Sequence, residues 1–303
     1  MQQVKIYIPD IECESCTKVL SKRFAAVPGL KSFVFQEDGV LCECENPQIV
    51  VHAVQQAGFR AGLNPFARMS FRERFKDFFT KKDKYVLEWK MVHVWITLLF
   101  VLSLIEGLAY YFLFKSVPDF LPKYGWWVVY SIIIVASFGA ALWHRLSYKM
   151  NVTCMVGMMI GMTMGMQTGL LLGALVGATN GFFLGAMVGM VAGVLVGGLA
   201  GKCCGIMGVM EGLMAGVMGG TMGAMITVML LFDNVFWFMP FFTFINIVIV
   251  FGLSYMLFEE SVEHRQDVVR DPVDMQTVIY VCSAVVLLIT AVMVYGPKAV
   301  VVA

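Results

Sequence analysis

Two cysteines separated by two residues, Cys13-Glu14-Ser15-Cys16, are the first side chains here whose type and spacing imply chemistry. They fall between an alternating stretch, Val4, Ile6 and Ile8 interleaved with Lys5 and Tyr7, and a helical pattern that begins near Thr17. Thiols at a helix start lie beside its positive end and its unsatisfied N–H groups, which lower a thiol pKa and favour the thiolate. Two thiolates on one loop suit a soft ion such as Cu(I), or Zn(II) at the borderline. A redox-active dithiol uses the same spacing, so the motif by itself leaves that reading open. Glu12 directly precedes the pair and offers a hard oxygen ligand that would shift preference toward Zn(II).

A second sulfur series lies in the apolar part of the chain. Met150, Cys154, Met158, Met162 and Met166 recur every fourth residue, with Met155, Met159 and Met164 beside them. Cys203 and Cys204 open a similar series, Met207, Met210, Met214, Met218 and Met222, extended by Met225 and Met229. On a helix, Cys154 to Met166 spans about 18 Å, over half of a hydrocarbon core of about 30 Å. Thioethers are soft and neutral, which suits Cu(I) and Ag(I) and suits Zn(II) poorly. Methionine is also adaptable apolar filler, but filler does not explain why it crowds two stretches while Leu, Ile and Val fill others. Glu106 and Glu211 lie inside apolar stretches, Glu211 among the methionines. Intramembrane acids are costly and are functional candidates, here as secondary ligands or proton carriers. Cys154, Cys203 and Cys204 together would make a three-thiol capture site for Cu(I).

The residues around the Cys13–Cys16 loop read as a small soluble domain over 1–64. A strand over Val4–Ile8 ends at Pro9, and a helix fits Thr17–Ala26 with Val19, Leu20 and Phe24 on one side. Ser32–Phe35 and Val40–Cys44 form a hairpin around Glu37-Asp38-Gly39. Pro47 suits the first turn of a second helix, Gly58 closes it, and Arg60–Leu63 fits a last strand. The order is βαββαβ, a ferredoxin-like sandwich. Cys42 and Cys44 share one strand face with Val40 and read as core.

Within this domain, Cys13 and Cys16, Val27-Pro28-Gly29-Leu30 and Ala57-Gly58-Phe59 resemble the heavy-metal-associated domain family, the module of copper chaperones and metal-pumping ATPases. The resemblance covers residues 4–63. It implies a metal-transfer domain with Cys13 and Cys16 as ligands and a cytoplasmic metallochaperone as a partner. The family's usual Gly-Met, three and two residues before the first Cys, is replaced by Asp10 and Ile11. Ile11 can still anchor the loop in the core.

Residues 65–90 form a basic juxtamembrane linker. Eight Lys/Arg accompany four Asp/Glu over 66–90, and Phe71, Phe75, Phe78 and Phe79 recur at helical spacing. That pattern fits an amphipathic helix lying on an anionic bilayer face.

Composition sets the frame for residues 91–303. The chain has 303 residues, 59% hydrophobic and 14% charged, with a mean hydropathy of +0.78. A soluble domain carries about 25% charged residues, so a soluble enzyme and a disordered chain are excluded. A net charge of +1 argues against nucleic-acid binding. Seven helical spans are expected, at about 91–114, 125–146, 152–177, 181–200, 204–231, 235–258 and 276–295. With the N-terminus inside, only Lys115, Lys123 and Lys298 fall on outer segments. That strong bias predicts a multi-pass cell-membrane protein with its soluble domain in the cytoplasm.

Gly recurs every fourth residue from Gly157 to Gly205, and again from Gly208 to Gly220. A helix-interior Gly costs about 1 kcal/mol relative to Ala, so a run this long must be offset by close packing. The third to fifth spans should form a tight bundle, which also provides surfaces for a homo-oligomer. No phosphate-binding loop, phosphorylation motif or Cys-Pro-Cys span is present. The expectation is a non-enzymatic Cu(I) conduit in which weak thioethers lead inward to strong thiolates. The alternatives are a membrane-tethered metal chaperone or sensor, and a Zn(II)/Cd(II) transporter using Glu12, Glu106 and Glu211.

Overall fold

The structure, a computed structural model, describes residues 2–11, 14–36, 39–66, 78, 80, 85–115, 117, 119–149, 152–261, 269–271 and 273–298. It divides into two compact units. One comprises Met1–Tyr85, Tyr148–Val156 and Met256–Arg270, and the other Val86–Ser147, Gly157–Tyr255 and Asp271–Ala303.

In the first unit, β1 (Gln2–Tyr7), α1 (Glu14–Phe24), β2 (Leu30–Gln36), β3 (Gly39–Cys44) and α2 (Pro47–Gln56) follow in that order. The strands make one antiparallel sheet, order β1-β3-β2, with Val4 and Phe33 flanking Cys42. Alternation along the strands turns Ile6, Val40, Cys42 and Cys44 inward, where Leu20, Phe24, Val50 and Val54 of the helices close the core. Val19, expected on the buried side of α1, faces out instead. The shorter stripe of Leu20 and Phe24, one turn apart, suffices for α1. Asn46 caps α2 by accepting from Gln48 N at 3.1 Å, with Pro47 in the first turn.

The expected strand over Arg60–Leu63 is reduced to one antiparallel bridge on the free edge of β1. There Tyr7 N donates to Gly62 O at 2.9 Å and Gly62 N to Tyr7 O at 3.1 Å. On this register the next hydrogen-bonded pair would join Arg60 to Pro9, which has no N–H, and Arg60 N donates instead to Asp10 Oδ2. The same unit holds a two-stranded ribbon, β4 (Tyr148–Lys149) with β5 (Val269–Arg270). The amphipathic helix expected over the linker falls mostly on residues outside those described.

The second unit carries all or most of each long helix: α3 (Val86–Ala109, with a π-wound end at Tyr110–Phe114), α4 (Phe120–Ser147), α5 (Cys154–Asn180), α6 (Phe182–Gly201), α7 (Ile206–Leu230), α8 (Val235–Ser261) and α9 (Met275–Tyr295). All seven are long and apolar enough to cross a membrane, as in a multi-pass membrane protein. α3 starts five residues earlier than its hydrophobicity implies, because Glu88 is buried against α4. Its Oε1 lies 3.3 Å from His144 Nε2. Pairing through Oε1 offsets part of the cost of burying this carboxylate.

The glycines of α5, α6 and α7 meet backbone to backbone. A Cβ placed at Gly189 would lie 2.8 Å from Cα of both Gly173 and Gly220. One at Gly197 would lie 2.7 Å from Gly165 Cα. Thr227 adds a bond between α7 and α5, donating to Ala174 O at 2.9 Å. At the far end of α5, Asn180 Nδ2 donates to Val292 O of α9 at 3.2 Å, and Lys298 Nζ donates to Thr179 O at 3.2 Å. These bonds satisfy polar groups that the apolar surroundings cannot.

Candidate metal path

Asp10 and Ile11, which precede the cysteine motif, are both held by the folded domain. Ile11 packs on the core, as expected of an anchor. Asp10, which stands where the family resemblance has Gly, is held by Arg60 from beyond α2. Its Oδ2 accepts from Arg60 N at 2.7 Å, and its Oδ1 accepts from Arg60 Nε at 2.9 Å and from Nη2. A charge-assisted bond of this kind is worth about 1.5–3 kcal/mol. Asp10→Ala should therefore destabilise the sheet domain by about 2 kcal/mol. The check is faster backbone hydrogen exchange over residues 2–66 in the full chain, with residues 154–230 unchanged. Cys16 lies in the first turn of α1, half-buried against the core. Glu12 and Cys13 lie outside the described residues.

Cys42 and Cys44 are core residues, as their strand spacing implies. Burial, then the neighbouring Cys44, pushes the Cys42 thiol up to about 11. Burial also raises Cys44. Neither is a thiolate at neutral pH. From its ordinary value of 9.0 up to about 11, Cys42 keeps its proton when folded and loses it when unfolded. Its contribution to stability is thus whole below pH 9 and is lost as pH rises toward 11. At pH 7.5 in detergent, a maleimide should modify Cys16 and Cys154 at least tenfold faster than Cys42, Cys44 and Cys282. Peptide mass spectrometry of the folded protein reads this directly.

Among the membrane sulfurs, Cys154 opens α5 and is exposed. Cys203 is half-buried, in the short 3-10 turn Lys202–Cys204 that precedes α7. The Cys204 side chain lies outside the described residues. On α5, Met158 and Met166 are half-buried, Met162 is exposed, and Met164 is buried. On α7 every methionine is exposed, from 41% at Met222 to 69% at Met229.

Helix geometry explains this. At about 100° per residue, Met207, Met210, Met214, Met218, Met222, Met225 and Met229 fall within about 60° of one line. Gly208, Gly212, Gly216 and Gly220 centre about 160° away, on the face packed against α5 and α6. The glycine bundle is closed, and the α7 sulfurs stand on its outside. Among the described residues, no three His, Cys, Asp or Glu side chains cluster to hold a metal ion.

The two intramembrane acids differ in setting. Glu211 is half-buried on the same stripe as the α7 methionines. Glu106 is buried between α3 and α9, where Thr290 Oγ1 donates to its Oε1 at 2.8 Å. Cys282 packs on Gly139 of α4 and belongs to that helix contact. Asn246 donates to Phe242 O of its own helix at 2.6 Å, so this amide bond does not join helices.

Sequence reasoning missed the Asp10–Arg60 and Glu88–His144 pairs, whose partners lie 50 and 56 residues apart. It also missed the Thr227–Ala174 bond. No local signal marks such long-range partners. No protein-family model, curated protein or solved structure matches this chain.

Proposed function

We propose that this chain is a membrane conduit for Cu(I). The observation that carries the reading is the unbroken thioether stripe along α7, which begins beside Cys203 and Cys204. The ion travels as substrate over Met158, Met162 and Met166 of α5 and the methionines of α7. It moves toward stronger thiolate ligands at Cys154, Cys203 and Cys204. Cys13 and Cys16 then take it by ligand exchange. Softness decides selectivity: neutral thioethers hold Cu(I) and bind Zn(II) poorly. On this reading the soluble domain is cytoplasmic, as the Lys/Arg bias supports, and transport is uptake. Glu211 offsets the cation's charge beside the path.

The N-terminal domain is, in this proposal, a heavy-metal-associated module with a ferredoxin-like arrangement. The strand order β1-β3-β2 supports that, as does the Gly62 bridge on the edge where a fourth strand would pair.

A second reading, a tethered metal chaperone serving another transporter, draws support from the closed glycine bundle, which offers the ion no interior route. Anaerobic Cu(I) titration of the full chain in detergent, read by X-ray absorption, tests copper binding in both. The expected result is all-sulfur coordination, with the tightest site lost in Cys13→Ser/Cys16→Ser and weaker thioether sites retained. Nitrogen or oxygen ligation, or displacement of Cu(I) by equimolar Zn(II), would contradict it. Loss of all copper binding in the double variant would favour the tethered chaperone.

A further inference from the structure

The glycine face of α7 is committed inside the chain, so the stripe of sulfurs on its opposite face looks away from the bundle. From Met207 to Met229 the stripe runs about 33 Å, the thickness of a hydrocarbon core. Two observations argue that protein, and not lipid alone, covers it. Glu211 lies within the stripe, about 40° from its midline. Carboxylates within spans face protein or water-filled cavities, because exposure to hydrocarbon is costly. The outward faces of α8 and α9 are built differently. α9 exposes Val281 and Leu288, and α8 exposes Phe244, Val248 and Ile249.

We infer that the α7 stripe is covered by the same stripe of a second copy of this chain, and that the copper path runs between the two. This rests on the copper reading above. A single stripe offers sulfur to an ion from one side only, so the site is incomplete in one chain. A twofold axis along the membrane normal sets stripe against stripe at equal depth. Neutral, flexible thioethers pack there without charge conflict and enclose a soft ion from both sides. The two Glu211 carboxylates meet at one level, where a cation between them relieves their repulsion.

The test uses the full chain in liposomes, with its native cysteines changed to alanine. Met214→Cys and Met218→Cys should each give a cross-linked dimer with a short bis-maleimide. Leu195→Cys and Leu288→Cys, exposed on α6 and α9, should remain monomeric. As a second measurement on the unaltered sequence, single-molecule photobleaching at high dilution should give two steps per particle. Single-step particles, or equal cross-linking at all four positions, would overturn the interface. Copper flux from single-step particles would overturn it while keeping the copper reading. Stripe-specific dimers in these variants, with no copper flux by the unaltered sequence, would support the interface and overturn the copper reading.

Discussion

Replacing Gly193 with leucine should abolish the folded membrane unit. A Cβ alone at this position would lie 2.8 Å from Gly216 Cα of α7, 2.9 Å from Gly165 O and 3.0 Å from Gly169 Cα of α5. The added atom meets backbone on two helices at once, and backbone cannot swing aside as a side chain does. Overpacking a core costs about 1–3 kcal/mol where neighbours relax. Here both contacts must open together, so even Gly193→Ala should cost at least about 3 kcal/mol. Gly252 of α8 provides the contrast, since nothing lies within 4 Å of a Cβ built there. Gly252→Ala should stabilise by about 1 kcal/mol through helix propensity. Thermal unfolding in detergent, with size-exclusion profiles, compares the three. A Gly193→Leu protein that elutes and melts like the parent would show that the glycine contact is not what holds α5, α6 and α7 together.

The second large effect concerns transport. Changing Met162, Met166, Met214 and Met218 together to leucine should reduce Cu(I) flux at least tenfold and leave the fold intact. Three of these side chains are exposed and Met166 is half-buried. Exchanges between Leu and Met conserve volume and cost less than about 1.5 kcal/mol even in cores. The variant removes soft ligands and keeps the hydrophobicity. Met164→Leu and Met239→Leu, at buried sites, should instead lower stability slightly and leave flux unchanged. Liposome flux and melting temperature, measured on all three proteins, separate ligand from filler. Unchanged flux in the fourfold variant would remove the methionines from the path.

Much of this architecture is readable from spacing. Apolar runs longer than about 20 residues mark the spans, and alternation marks β1 and β3. The Gly period announces close packing before any contact is seen. Even the opposed faces of α7 are implicit: Gly208, Gly212, Gly216 and Gly220 are offset by two residues from Met210, Met214, Met218 and Met222, about 200° on a helix. On α5 the two series are offset by one residue, about 100°, so sulfur flanks the packed face, and Met166 is half-buried. What spacing does not carry is pairing between distant segments. Arg60 explains Asp10 only once the sheet has folded, and His144 explains why Glu88 can enter a helix and be buried. The reduced last strand follows from Pro9 and from the Asp10 carboxylate that takes Arg60 N, and their effect depends on which edge the segment meets.

The most direct test of the central claim is Cu(I) movement into liposomes that contain only this protein. A thiol-rich chelator sits inside, and Zn(II) runs in parallel. Saturable Cu(I) uptake is expected, with Zn(II) at the level of protein-free vesicles. Zn(II) uptake equal to that of Cu(I), or no uptake of either ion by protein that still binds copper at the Cys13–Cys16 loop, would contradict it.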